Sequence, residues 1–87
     1  RSLQEAKVDA IQLIDAVVAA VLADPQLLEE GEQQKINEGV AALAAALETG
    51  SSTQVSDLTA ALNKISGDFA ARRMDEHIAR ALQGESI

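Results

Sequence analysis

The chain has 87 residues, room for a single domain whose small core every element must help to build. It contains no cysteine, so neither a disulfide framework nor a thiolate metal site holds it together. A net charge of −7, with Tyr and Trp absent, argues against binding to phosphate backbones or stacking on unpaired bases, so no nucleic-acid partner is expected.

From Leu3 to Ala23, Leu3, Ala10, Ile14, Val17 and Val21 recur at helical spacing, with Ile11, Val18 and Leu22 widening the stripe. This predicts a core-facing helix, ended by Asp24-Pro25 because a residue before proline is driven out of helical geometry. Asp9, Gln12 and Asp15 interrupt it, leaving no apolar run of the roughly 20 residues that span a bilayer, so no membrane partner is expected. The chain opens on Arg1 without a signal-peptide pattern, and this start reads as a cut or a cleavage point.

The second helix is expected from near Glu29 to Gly50, with Ile36, Val40, Leu43 and Leu47 as its stripe. Glu29, Glu30 and Glu32 are placed in its first turn, where they complement the helix dipole, and Gly50 is assigned a left-handed carboxy-terminal cap.

The third helix opens at Ser51, which has capping-box spacing to Gln54, and is expected to run to Gln83 ahead of Gly84. Val55, Leu58, Leu62, Ile65 and Phe69 fall within one face roughly 80° wide at about 100° per residue. Past Phe69, the face carries Asp68, Arg72, Glu76 and Arg80, read as a ladder of intrahelical pairs, whereas Met74, Ile78 and Leu82 lie almost opposite. Arg73 stands outside the ladder beside Met74. The fold expected is all-α: an antiparallel three-helix bundle with a carboxy-terminal helical extension, its core about residues 3–69 and its overhang about 70–83. Glycine at 67 offers a place to bend, but the charge ladder favours a straight helix. A straight overhang shows Met74, Ile78 and Leu82 to solvent, a candidate surface for self-association into a homodimer.

No catalytic, cofactor-binding or metal-binding residue is assigned. The lone His77 lacks the second histidine of a paired-helix zinc motif, and Gly31, Gly39, Gly50, Gly67 and Gly84 form no phosphate loop, so neither metal nor ATP is expected to bind this chain. The helical pattern offers no evident pocket for a serine or threonine nucleophile.

The stretch Asp68-Phe69-Ala70-Ala71-Arg72-Arg73-Met74-Asp75, followed by Arg80-Ala81-Leu82-Gln83-Gly84, resembles the end of the HscA branch of DnaK-type chaperones, the branch serving iron–sulfur cluster assembly. Upstream, Lys7-Val8-Asp9-Ala10 and Ala23-Asp24-Pro25-Gln26-Leu27-Leu28 are similar to the later part of its long lid helix and the following turn, and Ala41 to Gly50 to the next helix. The resemblance covers essentially the whole chain. It implies a cytoplasmic chaperone in which residues 1–87 form the helical lid over bound client peptide. It further implies an ATPase domain that takes ATP or ADP with magnesium and a β-sandwich peptide-binding domain, both absent from this sequence. An iron–sulfur scaffold client and a J-domain co-chaperone are the implied partners. The ending Glu85-Ser86-Ile87 lacks the acidic tail through which eukaryotic relatives recruit helical-repeat proteins. A different reading of the same helices is a free-standing adaptor or dimerisation bundle.

Overall fold

Ser2 opens the first helix: its hydroxyl accepts a hydrogen bond from the Glu5 amide at 3.2 Å, satisfying one of the amides that a helix start leaves without a partner. In the computed structural model, which describes residues 2–85 with the Glu85 side chain left aside, this helix (α1) spans Leu3–Ala23. A one-turn 3-10 helix follows at Pro25–Leu27, then α2 at Glu32–Thr49 and α3 at Ser52–Glu85. All three expected helices are present, and there is no strand among the described residues.

Several boundaries differ from the sequence-based expectation. Helix α2 starts at Glu32 because Gly31, at φ +79°, turns the chain through the left-handed region. Glu29 and Glu30 therefore precede the helix, and only Glu32 lies in its first turn. Its carboxylate reaches back to accept from the Glu29 amide at 2.9 Å. Gly50 is extended (φ −79°, ψ 158°), not left-handed. Glycine fits there because a Cβ would stand 2.6 Å from the Ala46 carbonyl oxygen, the same oxygen that accepts from the Gly50 amide at 2.7 Å. Ser51 caps α3 as expected, accepting from the Gln54 amide at 3.2 Å. Gly84 does not stop α3, which runs to Glu85.

The core consists of Ala6, Ala10 and Val17 from α1, Ile36, Leu43 and Ala46 from α2, and Val55, Leu62 and Phe69 from α3. Leu13, Ile14, Val21, Val40, Leu47, Leu58 and Ile65 pack around them. The widening of the first stripe turns outward instead: Ile11, Val18 and Leu22 are exposed, as are Leu3 and Val8. Alanines take the innermost places on α1, where a short side chain lets two helix axes close up.

Contacts between helices follow a consistent order. Ala6, Asp9 and Leu13 of α1 line one depression with Ser56, Thr59 and Asn63 of α3, and Asp24 at the end of α1 meets Arg73 further along α3, so residue numbers rise together in these two helices. Gly39 of α2 lies against Leu62 and Ile65, while Glu32 lies against Arg72, so numbers in α2 fall as those in α3 rise. Helix α3 is unbroken over 34 residues, about 50 Å at 1.5 Å per residue, and the molecule's long dimension is 51 Å. Such a length leaves no sharp bend at Ser66-Gly67. The Ser66 hydroxyl, buried, donates to the Leu62 carbonyl at 2.9 Å and stays within its own helix.

Candidate functional site: the anchored overhang

The part of α3 beyond Phe69 has two unlike faces. One is tied to the connection between α1 and α2 by a pair of adjacent arginines. Arg72 Nε donates to the Leu27 carbonyl at 2.9 Å, and its guanidinium pairs with the Glu32 carboxylate, with Glu29 at 3.8 Å. Arg73 Nε donates to Asp24 Oδ2 at 2.8 Å. His77 Nε2 lies 3.0 Å from the same oxygen. An ionised carboxylate only accepts, so the imidazole proton in this bond belongs on Nε2.

Asp24 sits at the carboxy-terminal end of α1, where the helix dipole alone disfavours a negative charge. It is nevertheless buried, with its carboxylate receiving Arg73, His77 and the Gln26 side-chain amide. The Arg73 hydrogen bond holds the Asp24 carboxyl below its ordinary value; burial pushes the other way, and His77 and Gln26 add to the lowering. For Glu32, burial pushes the carboxyl up, but the Arg72 guanidinium, the Glu29 amide and the nearby charges of Arg72 and Lys35 outweigh it and leave the group lowered. The hydrogen bond to Glu32 in turn raises Arg72, so this pair stays charged.

The ladder read from the sequence is therefore mostly replaced. Arg80 does pair with Glu76, at 3.1 Å. Arg72, however, turns to partners 40 and 45 residues away, because a part-buried backbone carbonyl and a carboxylate held by Glu29 lie within its reach. Arg73, to which the sequence assigned no partner, is the link to Asp24. Sequence reasoning missed this anchoring. Its available signal was an acid directly before Pro25, read as a helix stop alone.

The face turned away from Arg72 carries Met74, Ile78 and Leu82, exposed at 65%, 52% and 64%. Met74 and Ile78 share a shallow depression with Ala70, Arg73, His77 and Ala81, while Leu82 lies further along the helix. A second apolar feature is an open groove of about 410 Å³ between α1 and α2, lined by Val17, Val18, Val21, Leu22, Ile36 and Val40 among others. Among the described residues, no three acidic, histidine or cysteine side chains come together in a way that could hold a metal ion. No described helix is long and apolar enough to cross a membrane.

No family model matches the chain, and no solved structure matches it significantly. Curated relatives do match, over all 87 residues. The chain is 44% identical to the chaperone protein HscA homolog of Chromobacterium violaceum, 45% to that of Laribacter hongkongensis and 41% to that of Neisseria meningitidis serogroup B. In each case the match covers all of this chain and 14% of the relative, so the chain spans about one-seventh of the length of these proteins. The matched part is the carboxy-terminal end of the relatives. Its match over the full length and its all-helical fold are consistent with the carboxy-terminal helical region of the HscA chaperones.

Proposed function

We propose that this chain is the helical lid of an HscA-type chaperone, which slows the escape of client peptide and performs no chemistry itself. The observation that carries the reading is the unbroken match to the carboxy-terminal 14% of HscA homologues. In this reading α1, α2 and α3 form an antiparallel, up-down-up bundle with its core over about residues 3–69 and α3 extending beyond it. The order of the interhelical contacts supports that arrangement. The double arginine anchor is compatible with it, because it ties the turn after α1 to the longest helix so that the three helices can move together. Arg72 and Arg73 fix the α1–α2 connection to α3.

Nucleotide and magnesium belong, in this proposal, to an ATPase domain elsewhere in the parent protein, and the peptide contacts mainly to a β-sandwich domain. An iron–sulfur scaffold protein is the client, a J-domain protein delivers it, and the setting is the cytoplasm. A match of the whole chain to a seventh of each relative does not favour the free-standing adaptor. The test compares the parent chaperone with a form lacking these residues, both loaded with ADP and a fluorescein-labelled peptide from the scaffold protein. Faster peptide release from the truncated form is expected. Equal release rates, with both forms still binding peptide, would sink the lid reading.

A further inference from the structure

Among the described residues, Asp24 is the charged group that the fold buries, and its position is an unfavourable one. Its carboxylate stands at the end of α1, where the helix dipole repels it. Of its three donors only Gln26 is a neighbour in sequence; Arg73 and His77 come from α3, 49 and 53 residues away. Arg72 holds the same connection at the Leu27 carbonyl and at Glu32. We propose that Asp24 makes this contact a two-state clasp: the end of α1 with the connection after it, and the α3 overhang, are held together or released together while the rest of the bundle stays folded.

Three observations lead to two states. First, the compensation is one-sided. The Asp24 side chain is 5% exposed, so water is almost excluded when the contact is closed, and donors from α3 must replace it. Without Arg73 and His77 the carboxylate is a buried charge lacking a counter-charge, and it regains hydration only when the connection lifts off α3. Second, the donors have an alternative: the side chains of Arg73 and His77 are 27% and 49% exposed, so water takes them up readily on release. Third, the connection has little support of its own. None of the residues 25–31 is buried, and its one-turn helix rests on the Leu27 and Leu28 amides, bonded at 3.1 and 3.2 Å. The fully buried Leu62 lies ten residues before Arg72, about 15 Å back along α3, and keeps its packing when the clasp opens.

Such a contact is reciprocal: loosening either side releases the other by the same factor. It also fixes a sign. In the intact chain Asp24→Asn removes the partner of Arg73 and loosens the clasp. In a chain without the two basic side chains, Arg73→Met with His77→Gln, the same change removes the charge that holds the clasp open and closes it again. A side chain that merely filled space would act in one direction in both chains.

Amide hydrogen exchange of the 87-residue chain, followed by NMR, tests the proposal, because each single variant is read on a segment whose sequence it leaves unchanged. Arg73→Met should speed exchange at the Asp24, Leu27 and Leu28 amides by about tenfold or more, and Asp24→Asn should speed it by a similar factor at the amides from Met74 to Ile78. The Leu43 and Leu62 amides should stay within about twofold in both, which also establishes that each variant is folded. Adding Asp24→Asn to Arg73→Met with His77→Gln should slow the Leu27 and Leu28 amides by about threefold or more. Arg80→Met, which removes only a pair within α3, should leave the connection within about twofold. Unchanged exchange across the contact in either single variant overturns the proposal. So does an acceleration that reaches Leu43 and Leu62 equally, an Arg80→Met effect as large as that of Arg73→Met, or Asp24→Asn speeding the connection further in the chain without Arg73 and His77.

Discussion

Leu62→Ala tests how the bundle closes. Leu62 is fully buried on α3, and the space across from it belongs to Gly39 of α2: a Cβ there would meet Leu62 Cδ1 at 3.1 Å and Ile65 Cδ1 at 3.5 Å. Truncation leaves a void that Gly39 has no side chain to enter, so collapse is limited and the loss should approach the upper part of the usual range, about 3–5 kcal/mol. A chain of this size has roughly 4–13 kcal/mol in all. At about 4–8 °C per kcal/mol, Tm should fall by roughly 12–40 °C. Gly39→Ala should then act differently in the two backgrounds. Against wild-type Leu62, the gain of about 1 kcal/mol in helix propensity is opposed by crowding that costs about 1–3 kcal/mol. In the Leu62→Ala background the crowding atom is gone and the gain remains, with a coupling of at least ~0.5 kcal/mol. Urea melts of the four proteins, followed by circular dichroism, give the cycle. Leu62→Ala costing under about 1 kcal/mol, or Gly39→Ala acting equally in both backgrounds, would refute this account of the α2–α3 contact.

Other consequences can be measured on the same footing. Gly67→Ala should stabilise the chain by up to about 1 kcal/mol, because a Cβ at Gly67 meets nothing within 4 Å and glycine weakens a helix interior; a loss on chemical melting would mean that the position is strained. Acid should destabilise the fold. Asp24 and Glu32 lie below their ordinary values of 3.8 and 4.5 when folded, so the unfolded chain takes up their protons first as pH falls. Their contribution is complete above about pH 5 and is lost as pH drops through the lowered folded values, so urea midpoints that stay flat from pH 6 to pH 3 would contradict it. Arg72→Met removes the guanidinium that offsets the burial of Glu32, and the Glu32 carboxyl should then titrate higher by NMR, while Arg80→Met should leave it unmoved.

Much of this molecule is legible in its residues. The Leu3–Ala23 helix, the Ser51 cap, the Val55-to-Phe69 stripe and the exposure of Met74, Ile78 and Leu82 all follow from local periodicity and capping, which act between residues three or four apart. The motif around Phe69-Ala70-Ala71-Arg72-Arg73 was likewise enough to point to the HscA family. Local pattern misled where a longer-range contact competes with it. The ladder through Arg72 is sound helix chemistry, but exposed intrahelical pairs are worth only about 0.3–0.5 kcal/mol, and a part-buried carboxylate and a carbonyl on the far connection draw the same guanidinium away. Gly50 looked like a left-handed cap, yet what requires glycine there is the close Ala46 oxygen. On α1 the apolar stripe is wider than the surface that the other two helices cover. Which of its edges turns inward, Ala6 and Leu13 and not Ile11 and Val18, was decided by helix packing, because burial depends on which neighbour arrives and periodicity specifies only a face.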